Sequence, residues 1–117
     1  MSLDCIWILP KDTKSPEKDI NQLYIKRSFF YANENLAFKG DLYSEWLEAI
    51  LGYTLYEEIK KKEKIKEINL AISEYLKSND LKSFKGEESE LSIKEIKDFV
   101  KMWNIMTSLQ ADLVGWW

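Results

Sequence analysis

Residues 23–51 read LYIKRSFFYANENLAFKGDLYSEWLEAIL, and the change of rhythm inside this stretch decides the fold class. Leu23 to Ala32 is rich in strand formers, aromatics above all, Asn33-Glu34-Asn35 supplies turn chemistry, and Leu36-Ala37-Phe38 resumes the strand-like run. That order predicts a hairpin. From Leu42 the apolar spacing changes: Leu42, Trp46, Leu47, Ile50 and Leu51 recur at the intervals of a helix with one buried face. Asp41 is placed to cap this helix and Gly52 to end it.

Upstream, Asp4 to Leu9 (DCIWIL) is a short apolar run stopped by Pro10, which predicts a buried strand, and Lys11 to Asp19 reads as a polar loop. Downstream, Thr54-Leu55-Tyr56-Glu57 and Ser92-Ile93-Lys94-Glu95 both carry the capping-box pattern, in which hydroxyl and carboxylate reciprocally satisfy free N–H groups at a helix start. The first of these helices, begun at Leu55, holds its apolar stripe through Leu76 except across Lys60 to Lys64. One long helix, or a short one followed by a longer one from about Lys62, fits equally. After a charged, exposed loop over Leu81 to Glu90, a final helix is expected to carry Ile96, Phe99, Val100, Trp103, Met106, Leu109 and Leu113 on one face and to end near Gly115. The expectation is one α+β domain over residues 1–117. A small antiparallel sheet of two to three strands, from the N-terminal half, packs against three or four helices.

Composition supports a folded chain and narrows its chemistry. Apolar residues make up 45% of it and aromatics 14%, whereas disordered chains are poor in both. Cys5 is the lone cysteine, and Ile6 to Leu9 is far too short for a signal or membrane segment, so a cytoplasmic location is expected. A net charge of −3 argues against nucleic acid and anionic membrane as partners. The chain has no histidine, which removes the commonest general base and metal ligand together. Cys5, in a strand-like run with no base to activate it, reads as a small buried hydrophobe. Asp4, Glu34, Asp41 and Glu45 have no metal-loop spacing, and Gly40, Gly52, Gly86 and Gly115 stand singly, so no phosphate cradle is present. Neither metal nor cofactor is expected. Lys60 to Lys66 is a basic cluster diluted by neighbouring acids and reads as a solvated helix face.

Leu3-Asp4-Cys5-Ile6-Trp7, Phe38-Lys39-Gly40 with Tyr43, Leu55-Tyr56, and Gly115-Trp116-Trp117 together resemble a family of small uncharacterised bacterial and phage proteins that open with an LDCIW string and close on GWW. The resemblance implies that the two ends belong to one unit, which fits a core joining the first strand to the final helix.

Three functional readings follow, and the balance falls against an enzyme. The leading one is a small acidic module that binds a protein partner, as an inhibitor or anti-defence factor of phage type. Its contacts would be Glu87, Glu88, Glu90, Trp116 and Trp117, because acidic surface complements a basic target and Trp is enriched at interface hot spots. The second is a small-molecule binder or histidine-independent enzyme. Its aromatic pocket would draw on Tyr24, Phe29, Tyr31, Tyr43 and Trp46, with Arg27, the one arginine, as anion contact. The third is a homo-oligomeric structural subunit, which needs only an exposed apolar patch.

Overall fold

A computed structural model of the protein describes residues 4–25, 29–31, 35–52, 62–77, 83–87 and 89–116. The hairpin forms, but its first arm does not reach back to Leu23: residues 23–25 are not in a strand. Strand β1 covers Asp4–Ile8, a single helical turn α1 covers Glu17–Ile20, and β2 (Phe29–Tyr31) runs antiparallel to β3 (Asn35–Lys39) with Phe30 opposite Leu36. β1 lies on the other side of β3, pairing Cys5 with Phe38 and Trp7 with Leu36. Because side chains alternate across a strand, Cys5, Trp7, Leu36 and Phe38 share one buried face, while Ile6 and Ile8 take the other.

Helix α2 (Asp41–Leu51) follows directly and ends at Gly52, whose φ of 83° is the left-handed exit a glycine allows. Its start differs from expectation. Gly40, not Asp41, holds the cap position and already has helical dihedrals, so Asp41 is the first residue of the helix and its side chain caps nothing. The Ser44 hydroxyl instead donates to the Gly40 carbonyl at 3.0 Å. Helix α3 covers Lys62–Lys77, and the expected cap at Thr54 with the start at Leu55 lies outside the described residues. Two short strands, β4 (Phe84–Lys85) and β5 (Glu90–Leu91), form a second hairpin within the stretch read as a loop. Helix α4 (Ile93–Ser108) then opens on the capping box read from sequence. The Glu95 N–H donates to Ser92 Oγ at 3.1 Å and the Ser92 N–H to Glu95 Oε1 at 3.0 Å.

The main correction concerns the last residues. α4 stops at Ser108, Gln110 adopts a φ of 63°, and β6 (Asp112–Trp116) runs back along β1 with Leu113 opposite Trp7 and Gly115 opposite Cys5. The sheet therefore has four strands in the order β2-β3-β1-β6, and its fourth strand comes from the C-terminal end instead of the N-terminal half. Leu109 and Leu113 are four apart, which suits a helix. Within β6, however, Leu113 and Gly115 are buried while Val114 between them is half-exposed, which is the period of a strand. The architecture remains α+β, and among the described residues no helix is long and apolar enough to cross a membrane.

Trp7, Trp46, Trp103, Tyr43, Phe38 and Phe99 are the largest fully buried side chains of one continuous core. Each contributes about 4–6 kcal/mol of gross apolar burial before chain entropy is subtracted. Trp103 meets Trp7 edge-on at 4.9 Å, lies tilted against Phe99 at 5.6 Å, and donates its indole N–H to the Ile65 carbonyl at 3.0 Å. One side chain thus ties α4 to the sheet and to α3. Buried Asp98 makes a second long-range tie, accepting the Tyr24 N–H at 2.9 Å and pairing with Lys94 at 3.1 Å.

Trp103→Phe keeps a ring against Trp7 but removes the indole donor and leaves a small void. Its expected cost is about 2 kcal/mol, read as a lower urea midpoint with an unchanged slope.

Candidate functional site

The β4–β5 hairpin is held from two sides. Leu91 is fully buried and Phe84 half-buried, and these paired residues fasten the strands to the core. The Gly86 N–H donates to the Ser89 carbonyl at 2.8 Å, closing the turn. From α2, the Glu45 carboxylate reaches across and accepts the Glu87 N–H through Oε2 at 2.7 Å. Gly86 lies so close beneath this carboxylate that a methyl group there would collide with it. A backbone N–H given to a carboxylate is a charge-assisted bond, stronger than its neutral counterpart, so the main chain is held at Glu87. The side chains of Glu87 and Glu90 remain exposed.

Beside the hairpin lies an open cleft of about 440 Å³ between Leu42 of α2, the β5 strand and the start of α4. Leu42 and Leu91 give it apolar lining, Glu90 and Glu95 give it acid, and Ser83, Ser89 and Ser92 complete it. The Ser89 hydroxyl is buried and has no hydrogen-bond partner among the described residues, as has Asp41 Oδ1. Such an arrangement can take an apolar stem ending in a positive charge, the shape of a lysine or arginine side chain. A separate cleft of about 480 Å³ has Lys14, Lys18 and Asp19 against Ile105 and Leu109.

Of the residues singled out for partner binding, Glu87 and Glu90 sit together on the hairpin, and Glu88 and Trp117 lie outside the described residues. Trp116 ends β6 opposite Asp4, with its side chain outside the described set. Of the residues singled out for a ligand pocket, Arg27 lies outside the described residues, and Tyr31 and Phe29 are placed only as β2 backbone paired with β3. Tyr43 and Trp46 are core residues. The Tyr43 ring stacks on Phe99 at 4.2 Å, and Trp46 meets Phe99 at 5.8 Å and Tyr75 at 5.7 Å, both edge-on. Tyr24 is 57% exposed and is therefore apart from them. The residue that sequence reasoning missed is Glu45 as the anchor of the loop. It is separated from Glu87 by 42 positions, and nothing in its local sequence marks it.

Gly86→Ala is expected to push the Glu45 carboxylate aside, at the cost of one hydrogen bond, about 1 kcal/mol. In a Glu45→Ala background the same substitution should cost much less, because its collision partner is gone. A double-mutant cycle on thermal stability, with hydrogen exchange at the Glu87 amide, measures this coupling.

Comparison of the chain with protein-family models, with curated proteins and with solved structures finds no match.

Proposed function

We propose that this protein acts by binding another protein, offering the acidic β4–β5 hairpin and its neighbouring cleft to a basic partner surface. The observation that supports this reading is the anchoring of the exposed loop by Glu45 through the Glu87 N–H. Main chain already held at Glu87 loses less freedom there on association, so more of the contact energy remains as affinity. Its charge adds steering toward a positive target, a gain in association rate that salt suppresses. An inhibitor that covers the anion-binding site of a nucleic-acid-handling protein is the form of this reading that fits the likeness to phage proteins. A cytoplasmic place of action goes with it. Trp116 and Trp117 remain the second proposed contact, as aromatic anchors.

The pocket reading draws no support from Tyr43 and Trp46, since Phe99 and Tyr75 occupy the ring surfaces that a ligand would need.

The test compares the wild-type protein, tagged at its N-terminus, with the Glu87→Lys/Glu90→Lys variant in pull-downs from host lysate at low and high salt. A stoichiometric basic protein should be retained by the wild type at low salt, be lost at high salt, and be absent with the variant. Equal retention by both proteins, or retention of nothing by the wild type, would sink the proposal.

A further inference from the structure

The strand order leaves β6 at one edge of the sheet, with β1 as its sole strand partner among the described residues. An edge strand turns alternate backbone N–H and C=O groups outward, and natural edges are blunted by shortness, lysine, proline or a bulge. At the opposite edge, β2 has three residues among those described. β6 has none of these devices. It runs five residues, DLVGW, without lysine or proline, and it pairs with β1 one-to-one from Trp116 opposite Asp4 to Asp112 opposite Ile8. Its one charge, Asp112, sits at its first position.

We propose that β6 pairs antiparallel with β6 of a second copy of this chain, across a two-fold axis at Val114, joining the two four-stranded sheets into one. The strand is its own complement in that register. Val114 meets the partner copy's equivalent position, and Leu113 falls opposite a position 115, where glycine has no side chain to obstruct it. Asp112 falls opposite a position 116, so the two aspartates lie at opposite ends of the joint; a parallel in-register pairing would set them side by side. On the outer face, Ala37, Ile6 and Val114 form one aliphatic row across three strands, and the two-fold continues that row unbroken into the second copy. Ile6 and Val114 are half-exposed, so this row has apolar surface left to bury; Ile8, 41% exposed, lies on the same face in the row of Asp112. A two-fold contact of this self-matching kind closes on itself and stops at the dimer. It shares no residue with the acidic hairpin; Trp116 belongs both to this joint and to the second proposed partner contact, and the Glu87→Lys/Glu90→Lys variant, which leaves β6 untouched, separates the two proposals.

Sedimentation equilibrium on the full chain over a range of concentrations should give a molar mass approaching twice 13.9 kDa. Val114→Lys and Val114→Glu each put like charges across the axis and should weaken the dimer roughly tenfold or more, while an equimolar mixture of the two should recover it. Near-UV circular dichroism of the buried tryptophans reports that each variant is folded. Val114→Cys, a small replacement, should form a disulfide-linked dimer on mild oxidation, Cys5 being fully buried. A wild-type mass of one chain at every concentration overturns the proposal. So does a dimer that survives both charged variants and fails to cross-link through position 114, since its joint then lies elsewhere.

Discussion

The fold depends on how Trp103 is seated. Its ring fills the space between α4 and the sheet, edge-on to Trp7, and its indole N–H ends on the Ile65 carbonyl of α3. Apolar burial is non-directional and would tolerate several ways of laying helices on a sheet. A buried donor is not indifferent in this way, because leaving it unmade costs about 1–3 kcal/mol, so α3 and α4 are held at the one offset where it reaches its acceptor. The contrast lies within the same core: the indole nitrogens of Trp7 and Trp46 are buried with no acceptor among the described residues. Those two rings supply area. Trp103 supplies area and position.

From that seat the path to the surface is short. Phe99, one turn before Trp103 on α4, takes the stacked ring of Tyr43 and the edge of Trp46, which settles the rotation of α2 about its axis. With Tyr43, Trp46 and Leu47 turned inward, the intervening Glu45 is less buried and points toward the hairpin whose amide it accepts. A helix places residues by rotation, so the position of an acidic loop at the surface is decided by aromatic packing in the interior.

What was legible in the sequence was whatever local chemistry determines. The β2–β3 pairing, the Gly52 exit and the Ser92–Glu95 capping box each lie within a few residues, and each formed, although the strand expected from Leu23 is absent over residues 23–25. Asp41 shows the limit of such reading. A residue suited to capping was displaced because Gly40 already has helical dihedrals and the helix begins one residue early. β6 was missed for a different reason. Leu109 and Leu113 fit the helical period, and the two facts that break it, the left-handed Gln110 and the open flank of β1, are a conformation and a long-range pairing that spacing does not encode. The site was legible in its charge and illegible in its support: Glu87 and Glu90 announce themselves, while Glu45 acts from 42 residues away.

β6 also brings two distant parts of the sequence together. Cys5-Ile6-Trp7 and Leu113-Val114-Gly115 lie side by side, and their pairing sets large against small on the inner face, Trp7 beside Leu113 and Cys5 beside Gly115. An α4 that continued as a helix to residue 115 would have left Trp7 without Leu113 beside it, exposing the indole that Trp103 packs against. The turn at Gln110 is thus coupled to the aromatic core: the last strand forms because its absence would uncover the contact on which the helices rest.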